Sequence, residues 1–203
     1  MLSLNKTKFE KKIKSGDDFI IYKKIKNFNN DPYLSFIDIV EKNKYSFIYE
    51  SVEGGINRGR YTICGFDPLL ILNINNKKAV LYKKKNNKFR QINQNIKDPF
   101  KSLENLISNL KIKIGNSLPP MSSGVFGYLG YEAINYIEKI SNNKKKDNLN
   151  LPDCLLFYPR SLFIYDNHQK ELYVIKAFIK STYNKTLNNY LNIKQEVISD
   201  LNF

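Results

Sequence analysis

At 203 residues, with 42% apolar and 13% aromatic content, the chain can bury a full core and is too hydrophobic to remain disordered. No run approaches the roughly 18 apolar residues of a membrane-spanning helix, and Met1 to Lys14 lacks the continuous apolar stretch of a secretory signal. The formal charge of +14 invites a nucleic-acid-binding reading, which is set aside because the lysines are scattered over turns and strand ends, few arginines join them, and A+T-rich codons alone favour Lys, Asn and Ile.

In chain order, a polar leader precedes a first strand over Asp18 to Ile25. Asp31-Pro32 reads as an N-cap with proline at the first helical position. Tyr33, Phe36, Ile37 and Val40 then fall on one helical face. Strands over Tyr45–Ser51 and Arg60–Phe66 flank a glycine-rich loop, and both are apolar on both faces, which predicts a sheet covered on each side. Leu69–Ile74 and Lys78–Tyr82 form a hairpin around Asn75-Asn76-Lys77, and Lys88–Ile92 adds an edge strand. Lys83, Lys84 and Lys85 suit a solvated turn or a charge-protected edge.

A second Asp-Pro pair, Asp98-Pro99, opens a helix with Leu103, Leu106, Ile107 and Leu110 on its core stripe. Ser122–Tyr131 reads as a strand punctuated by Gly124, Gly127 and Gly130; close backbone packing or a bulge explains the glycines as well as a ligand does. It is no phosphate loop, because no Gly-Lys-Ser/Thr closes it. Ala133–Ile137 predicts a short helix, and Ser141–Asn150 a mobile surface loop. Strands over Ser161–Tyr165 and Glu171–Lys176 are joined by a turn holding His168, the only histidine, which reads as solvent-exposed. Tyr183, Leu187, Tyr190, Leu191, Val197, Ile198 and Leu201 make a last amphipathic helix. Strands in series with helices inserted among them give an α+β fold, a largely antiparallel β-sheet backed by helices, in one domain over residues 1–203. Cys64 and Cys154 fit no metal spacing and sit in apolar strands, as reduced structural thiols of a cytoplasmic protein would.

The stretch from Glu50 to Tyr61 carries the chemistry. A strand ends in a carboxylate and a hydroxyl, Glu50 and Ser51, and Gly54, Gly55 and Gly59 follow before the next strand. A buried carboxylate costs free energy unless a cation or donor meets it, and the glycines let backbone approach closely. A plain strand-turn-strand remains the bland alternative. With Gly65-Phe66-Asp67-Pro68, Ser123-Gly124-Val125-Phe126-Gly127-Tyr128-Leu129-Gly130-Tyr131-Glu132 and Leu151-Pro152-Asp153 following in order, the chain resembles the N-terminal region of anthranilate synthase component I.

The resemblance implies the first of two stacked α+β units of a chorismate-using lyase that opens tryptophan biosynthesis. It implies that Glu50 and Ser51, bordered by Arg60 and Tyr61 and with Pro32 nearby, bind L-tryptophan as feedback inhibitor. Glu50 would meet the ammonium of the zwitterion, and Ser51 with glycine-freed amides its carboxylate. No catalytic or metal-ligating set is expected in this chain. The chorismate-binding C-terminal half, with the acidic residues that hold magnesium, is expected to be absent from it, leaving tryptophan binding weak and catalysis dependent on that half. A glutamine amidotransferase subunit would supply ammonia to the full enzyme. Two alternatives stand beside this reading: the first component of 4-amino-4-deoxychorismate synthase, which the Glu-Ser-x-Glu-Gly-Gly run disfavours, and the basic nucleic-acid-binding domain.

Overall fold

The computed structural model describes residues 1–53, 57–92, 98–138, 149–182 and 189–201. The spine of the molecule is a pair of long strands, β3 (Asn57–Asn75) and β7 (Cys154–Asp166), antiparallel from Tyr61 opposite Asp166 to Ile74 opposite Cys154. Each takes two partners in succession on its outer edge. β2 (Phe47–Glu53) and then β4 (Lys78–Lys85) line β3, while β6 (Phe126–Leu129) and then β8 (Glu171–Phe178) line β7. At the changeover Pro68 stands opposite Pro159. Proline has no N–H for an outer neighbour, so the two sit where neither strand needs that donor.

β1 (Phe19–Lys26) on β8 and β5 (Lys88–Ile92) on β4 complete an 8-stranded sheet in which every pairing is antiparallel. The α+β class, an antiparallel sheet with helices, is as the sequence predicts.

Residue alternation divides the core. Cys64 packs with Phe163 and Val174 under Phe36 of α2 (Pro32–Lys42) and Val197 of α4 (Tyr190–Ser199). Its neighbour Ile63 packs with Phe47, Ile164, Tyr173 and Ile175. α3 (Pro99–Asn109) sets Leu106 against Leu72, Ile74 and Tyr158. Each buried aromatic or branched side chain contributes about 1.5–3 kcal/mol by leaving water.

Several boundaries differ from the sequence reading. The polar leader contains a helix, α1 (Lys6–Ser15): Asn5 caps it through Lys8 N–H at 2.9 Å, and Gly16 at φ 73° closes it. Only Phe9 and Ile13 are buried on it, against Phe19, Phe178 and Ile193, so two apolar residues among lysines gave too thin a stripe to read. The strands expected at Arg60–Phe66 and Leu69–Ile74 are one continuous strand bent at Asp67, whose φ is 54°. On α2 the packed face is Phe36, Ile39 and Val40, while Tyr33 is exposed. On α3 Ile107 likewise stands outward.

The glycine-punctuated segment keeps only β6 as strand, and the expected helix at Ala133–Ile137 is a 3-10 turn over Tyr131–Tyr136. The strand expected at Ser161–Tyr165 runs from Cys154 to Asp166. The loop expected at Ser141–Asn150 lies mostly outside the described residues, as do Tyr183 and Leu187 of the last helix, and Gly54 and Gly55.

Candidate ligand site

The four residues singled out by sequence meet in one β-bulge. Glu50 stands opposite Thr62, but two residues on Val52 stands opposite Arg58, so Ser51 of β2 faces Gly59, Arg60 and Tyr61 of β3. Gly59 is needed here because a Cβ would occupy the position of the Ser51 hydroxyl. Ser51 Oγ donates to the Tyr61 carbonyl at 3.3 Å. Its one proton is therefore spent on the bulge, and what it offers outward is its lone pairs.

The β7–β8 turn pins the other side. Asn167 N–H donates to Arg60 O at 2.7 Å, and Asn167 Nδ2 donates to Gly59 O at 2.9 Å and reaches Thr62 Oγ1 at 3.4 Å. Arg60 donates through Nε and Nη2 to Asp166 Oδ2 at 3.1 and 3.0 Å, with its guanidinium 4.9 Å from the Tyr61 ring centroid. Asp166 Oδ1 accepts the His168 and Gln169 N–H groups at 3.0 Å each. Burial alone would raise the Asp166 carboxyl, yet Arg60 and the two turn amides hold it below the ordinary range. His168 is exposed in that turn, as expected. Sequence reasoning passed over Asp166 and Asn167; for Asp166 the signal was present, since Asp is a side chain that bonds backbone two and three residues on, whereas the partners of Asn167 lie far away in sequence.

The bulge brings the four residues together but not onto one face. Glu50 is half-buried and continues the row of Ile48 and Cys64, beneath α2. Tyr61 packs on the alternate side with Ile63 and Tyr173. Ser51 is exposed between them, and the Arg60 charge is matched by Asp166. Pro32 is buried at the start of α2. The arrangement supplies one carboxylate, one hydroxyl acceptor and a bordering guanidinium at the bulge between β2 and β3.

The remaining sequence motifs are joints of the sheet. The ring of Phe47 fills the place of a Gly65 side chain. Asp67 binds Lys84, and Arg160 at 3.4 Å; burial opposes the charge but Lys84, Arg160 and Lys176 carry the carboxyl below its usual range. Gly127, at φ 144°, lies against the Leu155 carbonyl, where no side chain fits. Asp153 accepts Asn76 N–H at 2.8 Å and the Tyr136 hydroxyl, and burial with that bond pushes the Tyr136 phenol up to about 12.

A cavity of about 300 Å³ opens elsewhere, between the end of α3 and the segment before β6. Ile107, Leu110, Val125 and Tyr158 line it, and Ser123 meets the Tyr158 hydroxyl at 2.6 Å on its wall. None of the four expected site residues lines it. Among the described residues no three His, Cys, Asp or Glu side chains gather as metal ligands would, and no helix is long and apolar enough to cross a membrane.

Against known proteins, a family model described as chorismate binding enzyme matches residues 44–197. Anthranilate synthase component 1 of Cereibacter sphaeroides is 31% identical over 169 residues, covering 82% of this chain and 33% of that protein. The protein of the same name from Acinetobacter calcoaceticus is 29% identical over 173 residues, covering 83% and 34%. A crystal structure of anthranilate synthase component I from Streptococcus pneumoniae TIGR4 aligns with a TM-score of 0.49 at 23% identity, over 86% of this chain and 36% of that one. The chain thus spans about a third of the length of the curated relatives it matches.

Proposed function

This chain belongs to the chorismate binding enzyme family, and we propose that it is the tryptophan-binding first portion of an anthranilate synthase component I, which converts chorismate and ammonia to anthranilate and pyruvate in tryptophan biosynthesis. The observation that carries the reading is the half-buried Glu50 carboxylate at the end of β2, beside a bulge that Gly59 opens and Ser51 fills. A carboxylate held there suits the ammonium of a zwitterionic amino acid, and the Ser51 lone pairs can accept a second N–H from it. Arg60, its charge matched by Asp166, borders the site as a fixed wall. Tyr61 reaches the ligand only from the other side of the strand.

In this reading the chorismate site, and the magnesium that such a site holds, belong to the two thirds of the relatives that the chain does not match. No step of the reaction is assigned to a residue here. The tryptophan pocket is also completed by that portion. Contacts worth a few kcal/mol are missing without it, and each 1.4 kcal/mol is about tenfold in affinity. Tryptophan titrated into this chain alone is therefore expected to bind weakly.

The test is co-expression with the unmatched two thirds of the Cereibacter sphaeroides protein, followed by fluorescence detection of anthranilate from chorismate and ammonia. The expected result is anthranilate formation inhibited by tryptophan. Glu50→Ala should spare formation and raise the half-inhibiting tryptophan concentration roughly tenfold. Formation of 4-amino-4-deoxychorismate instead would move the chain to the sister branch. No product in any mixture would overturn the reading.

A further inference from the structure

At about 300 Å³, the cavity at the end of α3 is far larger than the water-sized voids that close packing leaves in a protein interior. A void of roughly 150 Å³ already encloses benzene, and small-molecule sites begin at about 300 Å³. The wall on one side is aliphatic. Ile107, expected in the core stripe of α3, stands 56% exposed at the rim. In the segment beyond the helix, Ile112 and Ile114 are half-buried against the cavity while Lys111 and Lys113, alternating with them, are exposed. The alternation keeps the charges in water and gives the cavity the branched side chains. Val125, ahead of β6, adds to the apolar lining.

Two properties of the lining select an occupant. Among the described residues that line the cavity none is charged, although the chain carries 33 Lys and Arg. A carboxylate or an ammonium moved into it would lose its water and find no partner. The polar part of the wall is the hydroxyl pair of Ser123 and Tyr158, 2.6 Å apart. Tyr158 is 1% exposed, and burial pushes its phenol up to about 12, so it keeps its proton. The pair holds two protons and its mutual hydrogen bond uses one. One O–H is left to donate, and a donor in an apolar wall favours a ligand that brings an acceptor.

We propose that this cavity binds a small, uncharged, mostly apolar molecule with one hydrogen-bond acceptor, such as an aromatic ketone, between the aliphatic wall and the Ser123–Tyr158 hydroxyl pair. The site shares no residue with the Glu50 bulge, and it stands whether or not that bulge binds an amino acid.

The test titrates the isotope-labelled chain with acetophenone and follows its backbone amide resonances. Two companion probes separate the contributions: ethylbenzene keeps the ring and loses the acceptor, and benzoate keeps the ring and adds a charge. The expected result with acetophenone is saturable shifts at the end of α3 and at residues 123–125, with a Kd on the order of 1 mM. Ethylbenzene should bind about tenfold more weakly, because it leaves the hydroxyl pair's free proton unpaired, and benzoate should not saturate. Val125→Phe fills part of the space and should abolish the shifts without lowering the thermal midpoint. Acetophenone shifts that do not saturate or that centre elsewhere overturn the site, as does binding retained by a folded Val125→Phe chain. Ethylbenzene or benzoate binding as tightly as acetophenone overturns the ligand class. If Val125→Phe does not fold, the wild-type shifts and the order of the three probes decide the matter alone.

Discussion

The two ends of β7 are built on opposite plans. At Asp166 the carboxylate is answered and the apolar neighbours are sealed: Asp166 holds Arg60 and the next turn, Asn167 holds the bulge, and Phe163, Ile164 and Val174 are 0% exposed. At Cys154 the chain is as well tied through Asp153, yet Leu129, Tyr131, Leu149 and Leu151 stand in water. Hydrogen bonds tie both ends, and among the described residues apolar cover is what differs. Exposed apolar side chains at that end therefore do not come from fraying, because fraying loses the hydrogen bonds first.

That difference sets the size of mutational effects. Phe163→Ala at the sealed end removes a fully buried ring that meets both Phe36 and Phe66 edge-on. The expected loss is about 3–5 kcal/mol, read as a lower urea midpoint with unchanged slope. A loss below about 1 kcal/mol would mean the helix-covered face is not the principal core.

Next comes the bulge that carries the candidate site. Gly59→Ala drives a methyl into the Ser51 hydroxyl and should cost about 1–3 kcal/mol. Ser51→Gly in the same chain should restore most of it, since the clash is with that one side chain. If the double variant is as unstable as the sum of the singles, the two residues do not share the space, and the bulge geometry fails with them.

Acid should act mainly through the sealed, ion-paired regions. Asp67 and Asp166 have folded values below the ordinary carboxylate range. The stability they add is therefore complete above the unfolded value of about 3.9 and is lost as pH falls through their lower folded values. Urea midpoints followed downward from about pH 5 should fall, and Asp166→Asn should flatten that limb. An unchanged limb would mean that Arg60 and the turn amides do not favour the Asp166 charge.

Much of this was legible in the sequence, and the exceptions share a cause. Asp31-Pro32 and Asp98-Pro99 announced α2 and α3 because cap and proline act locally. β2, β5 and β8 were readable from their aromatic and β-branched runs between turn residues. The helix at Lys6–Ser15 was not, because two buried residues among lysines look like a solvated tail until Phe178 and Ile193 arrive from the far end of the chain. The continuity of β3 through Asp67-Pro68 was hidden for a similar reason. Proline within a strand argues for a break, unless the opposite strand places Pro159 at the same level.

In the candidate site, the run from Glu50 to Tyr61 was visible, as was the value of its glycines. That Glu50 and Tyr61 take different sides could not be read, because the bulge that fixes the register is held by Asn167, more than a hundred residues away.

The smallest expected effect bears most directly on the uncovered end. Tyr131→Ser removes a large aromatic side chain, and by size alone it should rank near Phe163→Ala. At 85% exposure the ring has given up little contact with water in the free chain, so its loss should change stability by no more than about 0.5 kcal/mol. A stability loss above about 1 kcal/mol would show the ring already packed in the isolated chain. The end at Cys154 would then be covered from within, and the two ends of β7 would differ in degree rather than in purpose.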